Sequence, residues 1–167
     1  MESFGSIDTE HPAFHERQRI YPPGYTVQRR YWSWTQSPTS GGCRCNYKLY
    51  ITADSTGDYP LFCVQSEDDP DYVITSNTLE GAWNTVIKKV NESRSARQGT
   101  PIHKNLKADF FFGLYYPIVI RTLECHPRAR LLKKYRFQYD LKIRLPTKLV
   151  ISTLCTPLPQ QQNPNCH

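Results

Sequence analysis

The chain has 167 residues and a formal net charge of +6, with 38% hydrophobic and 13% aromatic residues and 13 prolines. That length suits one domain with a real core, and the longest apolar run, Phe110 to Ile120, is too short for a membrane span and is broken by Gly113 and Pro117. The polar, acidic N-terminus lacks the pattern of a signal peptide, so the six cysteines are expected to be reduced thiols of a cytosolic or nuclear protein.

In chain order, a short strand is expected near Phe4–Ile7. Pro22, Pro23 and Gly24 then make a turn into an extended aromatic run ending near Trp34. Tyr25, Val27, Arg29 and Tyr31 fall on one side of this strand, and Thr26, Gln28, Arg30 and Trp32 on the other, so partners on both faces are expected. Arg29 and Arg30 sit among the rings, where they can stack on aromatics, bond to carbonyls or carboxylates, or simply be solvated. After a Ser/Gly/Pro loop at 35–42, Cys45, Tyr47, Leu49 and Ile51 alternate inward along a second strand. A turn at 54–58 returns the chain through 60–64, with Phe62 and Val64 on a shared face. An acidic loop follows, Glu67, Asp68, Asp69, Pro70 and Asp71, before a short strand at 72–74.

Residues 76–91 form the best-marked helix. Asn77 as N-cap with Glu80 three residues later has capping-box spacing, and Leu79, Ala82, Trp83, Val86, Ile87 and Val90 make one apolar stripe. Gly81 is expected to permit close packing on the sheet, and Lys88 and Lys89 to sit near the helix C-terminus. Residues 92–105 read as a basic loop. Phe110, Phe111 and Phe112 fit a helical turn closed by Gly113, and Pro117 starts a second helix that Pro127 ends. Residues 135–139 alternate aromatic and polar like a returning strand. A last strand at 149–151 and a disordered tail over 146–167 complete the expectation.

Charge divides unevenly. Residues 1–93 hold 8 Lys/Arg against 12 Asp/Glu (net −4), and residues 94–167 hold 13 against 3 (net +10). Cys43-x-Cys45 is too tight for a zinc knuckle and no C-x₂-C occurs. No metal or cofactor is therefore expected. Catalytic signatures are missing as well, and Cys125 beside His126, at a helix end expected in the core, does not make a nucleophile–base pair.

The ordered series Tyr21-Pro22-x-Gly24-Tyr25-x₃-Arg29-x-Tyr31-x-Ser33, Cys45-x-Tyr47-x₃-Ile51, Pro60-x-Phe62-x-Val64-x₂-Glu67-Asp68-Asp69-Pro70 and Trp83 resembles the FYRN half of the FYR (phenylalanine/tyrosine-rich) domain. Phe111-Phe112-Gly113-Leu114-x₂-Pro117-x-Val119-x₃-Leu123-Glu124-x-His126-Pro127, then Tyr135-x-Phe137-x-Tyr139, resembles its FYRC half. Pro23, Leu49, His126 and Leu132 depart from the usual Val, Cys, Leu and Cys. The resemblance implies one α+β module over 1–145, with FYRN-like residues at about 4–91 and FYRC-like residues at about 106–140. An antiparallel β-meander with about three helices on one face is the implied fold. The implied scaffold is Tyr21, Gly24, Tyr25, Arg29, Tyr31, Cys45, Tyr47, Phe62, Trp83, Phe111, Phe112, Gly113, Pro117, Tyr135 and Phe137.

It also implies a nuclear setting in chromatin proteins, with protein partners that include histone-modifying enzymes or histones, and no small-molecule substrate. The expected function is thus a non-enzymatic protein-interaction module of a chromatin or transcription-regulatory complex. Two charged sets are candidates for partner binding. Glu67, Asp68, Asp69 and Asp71 are either a solvated turn or a dock for a basic segment. Arg128, Arg130, Lys133 and Lys134 begin a basic run that continues through Arg136, Lys142, Arg144 and Lys148. That run also supports the alternative, weak and non-specific nucleic-acid binding, with the aromatics of 135–139 as a stacking platform.

Overall fold

A computed structural model describes residues 1–35, 43–96, 100–101 and 107–139. All of the expected loop at 35–42 except Thr35, the last strand at 149–151, Lys142, Arg144, Lys148 and the tail lie outside the described residues. Five antiparallel strands follow one another across a single sheet: β1 (Ser3–Phe4), β2 (Tyr25–Trp32), β3 (Arg44–Ala53), β4 (Pro60–Ser66) and β5 (Asp69–Ser76). Three helices complete an α+β module: α1 (Leu79–Ser95), α2 (Ala108–Phe112) and α3 (Pro117–Cys125).

Register follows from the side-chain alternation. Tyr31 stands opposite Cys45, Leu49 opposite Val64, and Val64 opposite Ile74, so one face of the sheet is apolar apart from Arg29 and Ser66. Helices α1 and α2 close that face: Trp83 stacks on Phe111 with centroids 3.7 Å apart, and Tyr31 meets both rings. The opposite face of β2 is not covered, because Gln28 and Arg30 are exposed and an antiparallel sheet tolerates one wet face.

Several boundaries differ from the sequence pattern. β1 stops at Phe4 because Gly5, at φ 67°, turns the chain away; Ile7 enters the core as a loop residue instead. β2 ends at Trp32, not at Trp34. The acidic segment is only a tight turn at Glu67–Asp68, and Asp69, Pro70 and Asp71 already belong to β5, an edge strand where proline is tolerated. Thr78, not Asn77, caps α1. Its backbone is the last extended one after β5, and its hydroxyl accepts the Gly81 N–H at 3.0 Å. A Cβ on Gly81 would meet Ser76 and Thr78 side chains, so the close approach there is to the capping turn and not to the sheet. The helix continues to Ser95, which leaves Lys88 and Lys89 in its middle. Residues 135–139 form no strand; Glu124 takes their donors, as described below. Cys125 is exposed, and so is Phe137, at 42%.

Candidate docking site

Two side chains of β2 hold the later helices in place. Arg29 donates through Nε to the Phe111 carbonyl at 2.9 Å, and Tyr25 donates its hydroxyl to the Phe112 carbonyl at 2.6 Å. Both acceptors are C-terminal carbonyls of α2 that have no partner inside the helix, so the early strand completes the later one. The Arg29 guanidinium also lies 5.4 Å from the Tyr116 ring centroid. Burial pushes the Tyr25 phenol up to about 12, keeping it a donor. Gly113 takes φ 75° as the left-handed cap, and a Cβ there would lie 2.5 Å from the Arg29 guanidinium. Around this contact Tyr21, Tyr31, Cys45, Tyr47, Phe62, Trp83 and Tyr135 are buried, Gly24 takes φ 82°, and Pro117 opens α3.

The four acidic candidates occupy the β4–β5 turn and the start of β5. Glu67 accepts from the Asn46 backbone N–H at 3.2 Å and its side-chain amide at 2.9 Å, and Asp69 accepts from the Trp34 indole at 3.2 Å. Asp68 donates its N–H to Ser66 Oγ at 3.3 Å, and only Asp71 is fully at the surface among the aspartates. Two of the carboxylates are thus occupied in joining the hairpin to β2 and β3.

The basic candidates lie elsewhere. Arg128 and Arg130 ride a 3₁₀ helix, Pro127–Leu131, and all four basic residues, Lys133 and Lys134 included, are exposed. Arg128 reaches Thr9 Oγ1 at 3.1 Å, and the Arg136 N–H donates to the Arg17 carbonyl at 2.9 Å, which seats this segment on the N-terminal arm. Among the described residues, no hydrogen bond or ion pair joins the acidic set to the basic one.

A third surface was not singled out by the sequence. The turn from α2 into α3 presents Phe110, Tyr115 and Ile118, exposed at 53%, 72% and 69%. Beside it lies a groove of about 350 Å³ lined by Arg19, Asp109, Phe110, Leu114, Tyr115 and Ile120. Arg19 pairs with Asp109 in its wall and lies 3.8 Å from Glu16, and Lys107 is the second cation of the lining. One signal was available beforehand: Ile118 falls off the Val119–Ile120–Leu123 stripe that α3 buries.

His126 is occupied as well, because its Nδ1 accepts the Arg128 N–H at 3.2 Å and caps the 3₁₀ helix. Among the described residues no His/Cys/Asp/Glu group could hold a metal ion, and no helix is long and apolar enough to cross a membrane.

Comparison with known proteins agrees with this architecture. The Drosophila melanogaster histone-lysine N-methyltransferase trr is 28% identical over 145 residues, 84% of this chain and 6% of its own length. Transforming growth factor beta regulator 1 of Xenopus tropicalis is 27% identical over 135 residues, covering 81% of this chain and 31% of that protein. Histone-lysine N-methyltransferase 2D of Mus musculus is 28% identical over 140 residues, 83% of this chain and 2% of that protein. The chain therefore spans a third or less of each of these relatives. Residues 1–54 match the family "F/Y-rich N-terminus" and residues 59–140 the family "F/Y rich C-terminus", and the chain belongs to the FYR domain family.

Proposed function

We propose that this chain is a non-enzymatic protein-interaction module of a nuclear chromatin-regulatory complex, and that its docking face is the α2–α3 corner with the neighbouring basic segment. The observation that carries the reading is the exposure of Phe110 and Tyr115, which line the groove, and of Ile118 at the start of α3. Three large apolar side chains left in water at one corner mark a surface that awaits a partner. Arg128, Arg130, Lys133 and Lys134, exposed further along the same half, select the occupant. It is a protein segment carrying acidic residues and a bulky apolar anchor. Histone-modifying enzymes are the class of partner or parent protein that the methyltransferase relatives suggest.

Nucleic acid is the rival reading, favoured by the exposed basic run. It lacks the platform that base stacking needs, since residues 135–139 form no strand and Tyr135 is buried with its hydroxyl on Glu124. A photo-cross-linking side chain at Tyr115, compared with one at Lys48 on the exposed sheet face, tests the proposal in nuclear extract. Cross-links to acidic, aromatic- or leucine-bearing segments of chromatin proteins at position 115, reduced at least about tenfold by Ile118→Ser, are expected. Equal yields at both positions, or nucleic acid as the dominant adduct, would overturn it.

A further inference from the structure

Away from that corner, two aromatic rings meet at a right angle beside a cation. Trp34, just past β2, and Tyr72, on β5, have centroids 6.5 Å apart and planes at 88°. Trp34 is only 8% exposed, and its ring is held: the indole N–H bonds to Asp69 Oδ2 at 3.2 Å, and the Tyr47 ring supports it at 5.3 Å. Tyr72 shares the helix-facing side of β5 with Ile74, yet it is 43% exposed, so this wall is open to solvent. A cation already sits against both rings. Lys89 of α1 places Nζ 3.7 Å from the Tyr72 centroid and 5.2 Å from that of Trp34. Among the described residues no salt bridge reaches Lys89, so ring faces hold this ammonium.

We propose that the Trp34–Tyr72 corner is a binding site for an alkylated ammonium, the side chain of a trimethylated lysine on a partner peptide, with Lys89 as its exchangeable internal occupant. The ring faces attract a cation through their quadrupoles, and right-angled walls contact it from two sides. A primary ammonium is strongly hydrated and loses much of that gain on leaving water. A trimethylammonium gives up less hydration and adds apolar contact, so it competes well for the same space. Lys89 hangs on a flexible stem from one helix and can swing into water without backbone movement. The Trp34 wall stays in place because Asp69 and Tyr47 orient its ring, while Tyr72 sits at the register shift of β5, next to Val73, which pairs with Gln65. Self-occupancy lowers the apparent affinity in proportion to the fraction of time that the rings are free of Lys89.

The test titrates a glycine/serine peptide bearing one trimethyllysine, and its unmethylated twin, into the full chain while the Trp34 indole N–H resonance is followed. Lys89→Ala is expected to bind the methylated peptide at least about tenfold more tightly than the wild type does, and than it binds the unmethylated peptide. Adding Tyr72→Ala should abolish the binding. Well-dispersed amide spectra for each variant establish that it is folded. A folded Lys89→Ala variant that leaves the Trp34 indole unmoved, or that binds both peptides alike, would refute the site. Equal affinity in wild type and Lys89→Ala would refute Lys89 as its occupant.

Discussion

His11 and His15 lie four residues apart and respond to pH with opposite signs. The hydrogen bond to Asp8 raises the His11 pKa above its ordinary 6.5, so its contribution to stability is present below that value and is lost as pH rises through the folded one. His15 is buried, neither of its ring nitrogens has a partner among the described residues, and Lys134 lies nearby. Desolvation and that charge depress its pKa below 6.5, with Asp8 opposing them weakly. The unfolded chain therefore binds the proton more readily, and stability falls as pH drops from 6.5 through the folded value. The carboxylates Asp8 and Asp54, whose folded pKa values lie below an ordinary 3.8, act only at still lower pH. The denaturant midpoint is expected to fall between pH 7 and pH 5 in the wild type, and to change much less in His15→Phe. An equal fall in both proteins would show that another group controls this window. No periodicity marked His15 as a core residue. Its burial follows from the isolated bridge to Ile20 and the arrival of residues more than a hundred positions later.

Glu124 shows why one expected element failed. It belongs to α3, it is buried, and it accepts from the Tyr135 hydroxyl at 2.8 Å, the Gln138 N–H at 2.6 Å and the Tyr139 N–H at 3.2 Å. A segment whose amides are taken by a side chain cannot also join a sheet ladder, so the alternating pattern of 135–139 yields an irregular strap across α3. Arg121, one turn earlier, stacks over Tyr139 at 5.2 Å and secures the same strap. Glu124→Gln should cost about 1–3 kcal/mol, because the amide cannot satisfy three donors as a carboxylate does. Amide exchange at Gln138 and Tyr139 should accelerate well before global unfolding; unchanged exchange there would contradict the role. The strands and α1 were legible because their periods, two and 3.6, match the faces they bury. Boundaries were less so. Thr78 displaced Asn77 as the cap because the strand before it runs two residues further, to Ser76, than its composition suggested.

At the scale of the molecule, the two family halves share one core and one sheet. Tyr25 and Arg29 bond to carbonyls of α2, Tyr31 packs against Trp83 and Phe111, and β3 pairs with β4 across the boundary between the matched segments. Gly57, in the β3–β4 turn, has open space around it and φ 85°, so a cut there removes little. A chain nicked at Gly57 should stay as a single species in size exclusion and keep its near-ultraviolet aromatic signal, whereas each piece alone should be unfolded. Free separation of the pieces in native buffer would contradict a common core.

What the residues determined alone was the sheet, its inward face, the principal helix and the kinship, because those depend on local periodicity and on ordered short motifs. Only the tertiary structure decided which charges are free and which rings are exposed. Glu67 and Asp69 are spent on neighbours distant in sequence, Tyr115 and Ile118 are left in water by the turn between two helices, and Trp34, Tyr72 and Lys89 meet from three separate elements. Side-chain partnership across long sequence separations is set by how the elements close on one another, and no short-range pattern encodes it.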